Sequence, residues 1–206
     1  MDKRLWKKRW LHAYLVTHIL RFIPYVRMVG LNGSMVTGTM HTESDIDLYI
    51  VLERGRIFTG RLLVTLTVQS LGLRRHGKHV AGRVCLNRYA TPDLLSIGPP
   101  NEYHARVFSN LIPLYAHPGI YEMYRDSNKW MQKFGYSLPF HKPVMAGGLG
   151  LQRVGEVLMS MLAPTTERWL RTWQQHRVAT DPRVVEEGSR VVISDEELCF
   201  HLAKKV

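Results

Sequence analysis

Eight consecutive residues, Asp45-Ile-Asp-Leu-Tyr-Ile-Val-Leu52, constrain this chain more than any other stretch. The run is rich in β-branched and aromatic residues, so it is expected to be a strand. Side chains of a strand alternate between its two faces, so residues two apart share a face. Asp45 and Asp47 are then neighbours, with Cα atoms roughly 6.7 Å apart. Two negative charges at that distance repel by about 2.5 kcal/mol at an effective dielectric near 20. A fold that sets them side by side, next to Ile46 and Leu48, needs compensating positive charge, and a divalent cation is the obvious source. Mg²⁺ takes one or two carboxylates together with waters and substrate phosphates. Two such ions can clamp the attacking and leaving oxygens of an in-line phosphoryl displacement. The alternative is a pair of solvated acids capping a loop at a strand start.

Upstream stands Gly33-Ser34. Glycine lets backbone approach a ligand closely. Ser34 is expected to open a short helix, where free N–H groups and the helix dipole favour phosphate. Its hydroxyl adds a further donor. Tyr25 to Leu31 reads as a strand and Asn32-Gly33-Ser34 as a turn. Strand, Gly-Ser, ten intervening residues and an Asp-Ile-Asp-Leu strand together form one pattern. This pattern resembles the nucleotidyltransferase superfamily that includes DNA polymerase beta. The resemblance implies that Gly33 and Ser34 are nucleotide-binding, at the phosphates. It implies that Asp45 and Asp47 are catalytic residues and metal ligands for Mg²⁺. Cys85-Leu86-Asn87, Asn101 to Trp130 and Phe200-His201 are similar to nucleotidyltransferase-domain proteins of unassigned substrate.

The superfamily usually places a third carboxylate on a later strand. Here that strand offers Val84-Cys85-Leu86-Asn87, with no acid. Asn87 can give a metal a neutral oxygen but cannot act as a base. Glu43, Asp93 and Glu102 are the other candidates. The gap bears on catalysis more than on nucleotide binding. Two functional readings follow. One is a Mg²⁺-dependent enzyme moving a nucleoside monophosphate from a nucleoside triphosphate, ATP among them, to an unidentified acceptor. The other is a catalytically degenerate nucleotide- or RNA-binding protein of the same fold. Beside these two stands a partner-dependent module of toxin–antitoxin kind, suggested by the small size of the chain alone.

The remaining sequence predicts an α+β fold: a small mixed sheet flanked by helices, then a helical C-terminal half. Residues 1–98 are expected to form the nucleotidyltransferase-like domain and 99–206 a helical domain. Beyond the two strands, helices are expected at Ile57–Leu71, 101–112, 117–134, 149–162, 165–177 and Ser194–Val206, with a third strand within His79–Tyr89 and a charged loop over 181–190. Ser194 and Glu197 form a capping-box pattern at the last helix. Near the N-terminus, Trp6, Trp10, Tyr14, His18 and Phe22 recur every four residues beside Leu11, Leu15 and Ile19. That stripe marks an amphipathic helix packed on the core; a helix lying on a membrane surface follows the same logic. His12, His18 and Arg21 interrupt any membrane-length run, so no stable membrane insertion is expected.

Lys and Arg number 28 against 17 Asp and Glu, a formal charge of +11. Such a field attracts RNA or another polyanionic acceptor, and it also serves solubility alone. The basic segment Arg74-Arg75-His76-Gly77-Lys78 can meet a triphosphate or an RNA backbone, or stay a solvated loop. Two cysteines are too few for a disulfide scaffold, which suits a reducing cytoplasmic setting. Cys85, inside an apolar run, reads as a buried free thiol. Tyr115, Tyr121, Tyr124, Trp130, Phe134 and Tyr136 are read as core in preference to base-stacking surfaces.

Overall fold

The acidic run becomes a strand over Ile46–Leu52, with Asp45 one residue ahead of it. Residues 2–147, 149–160, 163–180 and 190–201 are described in the structure, which is a computed structural model. In chain order the elements are α1 (Lys3–Leu20), β1 (Val26–Asn32), α2 (Ser34–Thr37), β2 (Ile46–Leu52), α3 (Ile57–Ser70), β3 (Val84–Ala90) and α4 (Glu102–Phe108). There follow β4 (Ile112–Ala116), α5 (Ile120–Ser127), a 3₁₀ turn (Lys129–Phe134), α6 (Leu149–Ser160), α7 (Ala163–Ala179), β5 (Arg190–Ile193) and β6 (Glu197–His201). The helical C-terminal half is present as α4 to α7. Its strands also join the first three, giving one sheet in the order β4-β1-β2-β3-β6-β5. Among the described strands, only β2 and β3 pair in parallel.

Alternation along β2 explains the two helical layers. Leu48, Ile50 and Leu52 belong to one apolar cluster with Ala13, Val16 and Leu20 of α1 and Phe58 and Val64 of α3. Tyr49 and Val51 belong to a second, with Phe108, Tyr121, Tyr124 and Met131. Each fully buried aliphatic side chain of this kind contributes about 1.5–3 kcal/mol. A strand covered on both faces reads as a near-continuous apolar run, and Asp47 is the polar interruption. Tyr115, Tyr121 and Tyr124 are buried as expected, while Phe134 is 41% exposed.

Two expectations are corrected. In α1 the buried positions are Ala13, Val16, Thr17 and Leu20, together with Arg9, whereas Leu11 and Leu15 are about half exposed. Trp6 and Trp10 of the aromatic ladder are half-buried against the core as expected, and their rings stack on each other at 5.1 Å and 14°. Ser194 onward, as far as His201, forms a turn and the strand β6, not a helix. The local signal is real, because Ser194 Oγ accepts from Glu196 N at 3.1 Å and Glu197 N at 2.9 Å. The same bonds close a tight turn between β5 and β6. Glu197 reaches across the sheet to an ion pair with buried Arg88, and Leu198 and Cys199 bury against the core. Non-local pairing thus overrides a local propensity. Residues 202–206 of that expected helix, and 181–189 of the expected charged loop, lie outside the described residues.

Glu167 ties α7 to the start of α3. Its carboxylate accepts Phe58 N at 2.9 Å and Thr59 N at 3.0 Å, and also the Thr59 hydroxyl. A carboxylate there satisfies orphan donors at the positive end of the helix. Glu167→Ala is expected to lower stability by about 1–3 kcal/mol, measured by urea unfolding, with Glu167→Gln recovering part of the loss.

Candidate functional site

β1 ends, and β2 and β3 begin, at one edge of the sheet. The register sets Asn32 of β1 opposite Asp47 of β2, and Asp47 opposite Cys85 of β3. Asp45 and Asp47 project to the same side, as the alternation of a strand requires. Oxygens of the two carboxylates and the Cys85 sulfur all lie within 4.8 Å of one another. The Gly33-Ser34 turn sits directly against them. Gly33 has φ +73°, and a Cβ added there would stand 2.1 Å from Asp47 Oδ2. Only a residue without a side chain fits between this turn and the carboxylate. Ser34 opens the one-turn α2, whose Val36 and Thr37 amides bond back to the Gly33 carbonyl. The Ser34 hydroxyl and Asn32 Oδ1 are buried and make no hydrogen bond to any described residue. Buried polar atoms in that condition are costly, which fits groups that meet a ligand.

Two arginines hold the acidic segment. Arg9, buried on α1, donates to the carbonyl of His41 at 2.7 Å and to that of Thr42. It thereby shapes the loop leading into Asp45. Arg75 donates to Asp45 Oδ2 at 2.6 Å and to Cys85 Sγ at 3.5 Å. Burial works against the Arg75 charge, but Cys85 and Asp45 outweigh it and raise its pKa. The expectation that paired acids need a cation between them therefore has a partial answer within the chain: Arg75 supplies positive charge to Asp45.

Cys85 was legible only as a buried thiol, which it is. That it faces the two acids depends on the parallel register of β2 and β3. Of the other third-acid candidates, Asp93 pairs with Arg54, and Glu102 lies in the first turn of α4. Glu43 and Asn87 line the same cavity as the acids. That cavity measures about 1000 Å³ and is walled also by Arg61, Arg74, Arg75, Tyr103 and Trp173. Tyr103 lies near Asp47, and its phenol is pushed up by burial and then by that charge.

The donor set suits one hard cation. The two carboxylates match the oxygen preference of Mg²⁺. The thiol does not: burial, with the Asp47 and Asp45 charges adding to it, pushes Cys85 far above its usual range, so it stays protonated near neutral pH. A thiol reagent at pH 8 is accordingly expected to leave Cys85 unmodified in the folded protein while labelling it fully in urea, as read by mass spectrometry. Gly33→Ala is expected to cost about 1–2 kcal/mol from the left-handed backbone alone. It should also rotate the Asp47 carboxylate away, which unfolding measurements and a structure of the variant would check.

Residues 15–81 match the family model described as a nucleotidyltransferase domain. The match spans Gly33, Ser34, Asp45, Asp47 and Arg75 and ends before Cys85. No curated protein matches the chain. Among the described residues, no helix is long and apolar enough to cross a membrane. This part of the chain is thus similar to a nucleotidyltransferase domain, a likeness that supports nucleotidyl transfer as the general reaction.

Proposed function

We propose that the protein is a Mg²⁺-dependent nucleotidyltransferase using ATP or another nucleoside triphosphate. Asp45 and Asp47 hold the metal, and Gly33 and Ser34 receive the phosphates. The observation that carries this reading is the contact of Gly33 with Asp47, where a single Cβ would fill the space the carboxylate occupies. Phosphate-binding turn and metal ligands then form one rigid unit, and positioning of this kind accounts for most of the catalysis in phosphoryl transfer. The acceptor oxygen bonds to the α-phosphorus, the bond from that phosphorus to the β-phosphate bridging oxygen breaks, and pyrophosphate leaves with the electron pair. The acceptor proton passes to solvent. When bound, the cation neutralises phosphate charge and favours the ionised acceptor hydroxyl. Within this scheme residues 1–98 carry the donor side, and residues 99–206 supply much of the opposite wall through α4 and α7.

A second reading, nucleotide binding without turnover, has its own observation: the residue opposite Asp47 on β3 is Cys85, a thiol and not a carboxylate. One series of measurements separates the two. The intact protein is expected to gain about 2.7 kcal/mol at a hundredfold excess of Mg²⁺–nucleotide over its dissociation constant. That amounts to a rise of roughly 5–10 °C in melting temperature for a chain of this size. Asp45→Asn and Asp47→Asn are expected to lose the metal-dependent part, and retention of it by Asp47→Asn would refute the assigned ligands. Labelled nucleotide transferred to cellular RNA or protein by the intact chain supports the enzyme. Transfer that appears only in Cys85→Asp supports the binding reading.

A further inference from the structure

The cavity holds a second charged feature that the donor reading leaves unused. Arg61 of α3, Arg74 of the loop after it and Arg177 of α7 line the same space as Gly33, Asp45 and Asp47. Among the described residues none of the three is in an ion pair. Arg61 instead donates to Gln174 Oε1 at 2.5 Å and lies over the Phe200 ring at 4.4 Å. Burial and the charges of Arg74 and Arg177 lower its pKa. Asp45 in the same cavity is paired with Arg75 and not with any of these three. Three guanidinium groups gathered with no ion pair among the described residues suit an anion, and planar guanidinium matches phosphate.

The rings beside them narrow the class of anion. Trp169, Trp173 and Arg177 follow at four-residue intervals along α7, so they share one helix face. Arg177 sits 5.5 Å from the Trp173 ring centroid. Trp169 and Trp173 are parallel within 4° at 6.1 Å, with Trp169 64% exposed and Trp173 38% exposed. Exposed indoles in this number ordinarily mark a binding surface. Phosphate-binding cations interleaved with flat apolar rings match the chemistry of a single-stranded polynucleotide, whose backbone follows charge while its bases stack. Inorganic polyphosphate would leave the rings unused, and a duplex hides its base faces.

We infer that Arg61, Arg74, Arg177 and the Trp169–Trp173 strip form an acceptor subsite for a single-stranded nucleic acid, whose end enters the cavity opposite Gly33-Ser34. This rests on the reading of Asp45 and Asp47 as the transfer centre. The strip starts on the exposed face of α7 and leads to Trp173 and Arg177 on the cavity wall, so a strand lying along it delivers its terminus to the space that the acids share.

Fluorescence anisotropy with labelled single-stranded RNA and DNA 12-mers, the matching duplex and Mg²⁺–ATP tests the subsite. The intact protein is expected to bind a single strand more tightly than the duplex. Arg74→Gln with Arg177→Gln should weaken that binding by about tenfold or more and flatten the salt dependence by about 1.4 in logarithmic slope. Trp173→Ala should cost about 5- to 100-fold. Trp173→Leu and Arg177→Glu serve where melting shows that the alanine variant is unfolded. Asp47→Asn is expected to lose the Mg²⁺–ATP response and keep strand binding, so failure of the donor reading is seen separately as an ATP response that survives in this variant. Three results overturn the inference. They are no strand binding by the intact protein, strand affinity unchanged in the folded arginine and tryptophan variants, or loss of Mg²⁺–ATP binding alone in those variants. The last would assign the arginines to the donor triphosphate.

Discussion

The close approach of Gly33 to the Asp47 carboxylate is the constraint around which this edge of the sheet is arranged. A turn can press on a carboxylate only if its residue has no Cβ and accepts positive φ, and Gly33 meets both conditions. The antiparallel pairing of β1 with β2 brings the turn to the acids, since Asn32 is the register partner of Asp47. The apolar clusters on the two faces of β2 then hold that register, because a slip of one residue would turn Asp47 into the core and an apolar residue out of it.

Charge around the acids is handled by the protein as well as by any ligand. Arg75 bonds Asp45, and Arg9 anchors the loop ahead of it through two carbonyls. The acids are thus positioned by groups drawn from α1 and from the loop after α3, far apart in the chain. A third neighbour, Cys85, contributes a neutral thiol where an acid would add charge. The local balance is therefore less negative than three carboxylates would make it.

Another part of the cavity lining carries the reverse sign. Arg61, Arg74 and Arg177 face the same volume as the acids. Glu167 and Gln174 of α7, bonded to the start of α3 and to Arg61, fix that wall relative to the sheet. Gln174 is buried and also donates to the Phe58 carbonyl at 2.9 Å. The helical half thus contributes positioning through specific polar contacts.

Much of the α/β half was legible because its signals are local. β-Branched and aromatic composition marked β2, turn chemistry marked Gly33-Ser34, and the spacing between them suggested the family. Cys85 opposite Asp47, Arg75 on Asp45 and the unpartnered Asn32 oxygen were not, since each depends on strand register or on a loop folding back. The hairpin of β5 and β6 was misread as a helix because Ser194 makes the same short-range bonds in either setting, and only the pairing of β6 with β3 distinguishes them. Trp173 and Arg177 looked like ordinary helix residues until α7 packed on α3. The sequence by itself determined which backbone could be extended and which two acids must share a face, because those follow from alternation along one strand. Tertiary structure alone decided what surrounds the acids and what faces them, because those neighbours come from segments whose contacts no local pattern encodes.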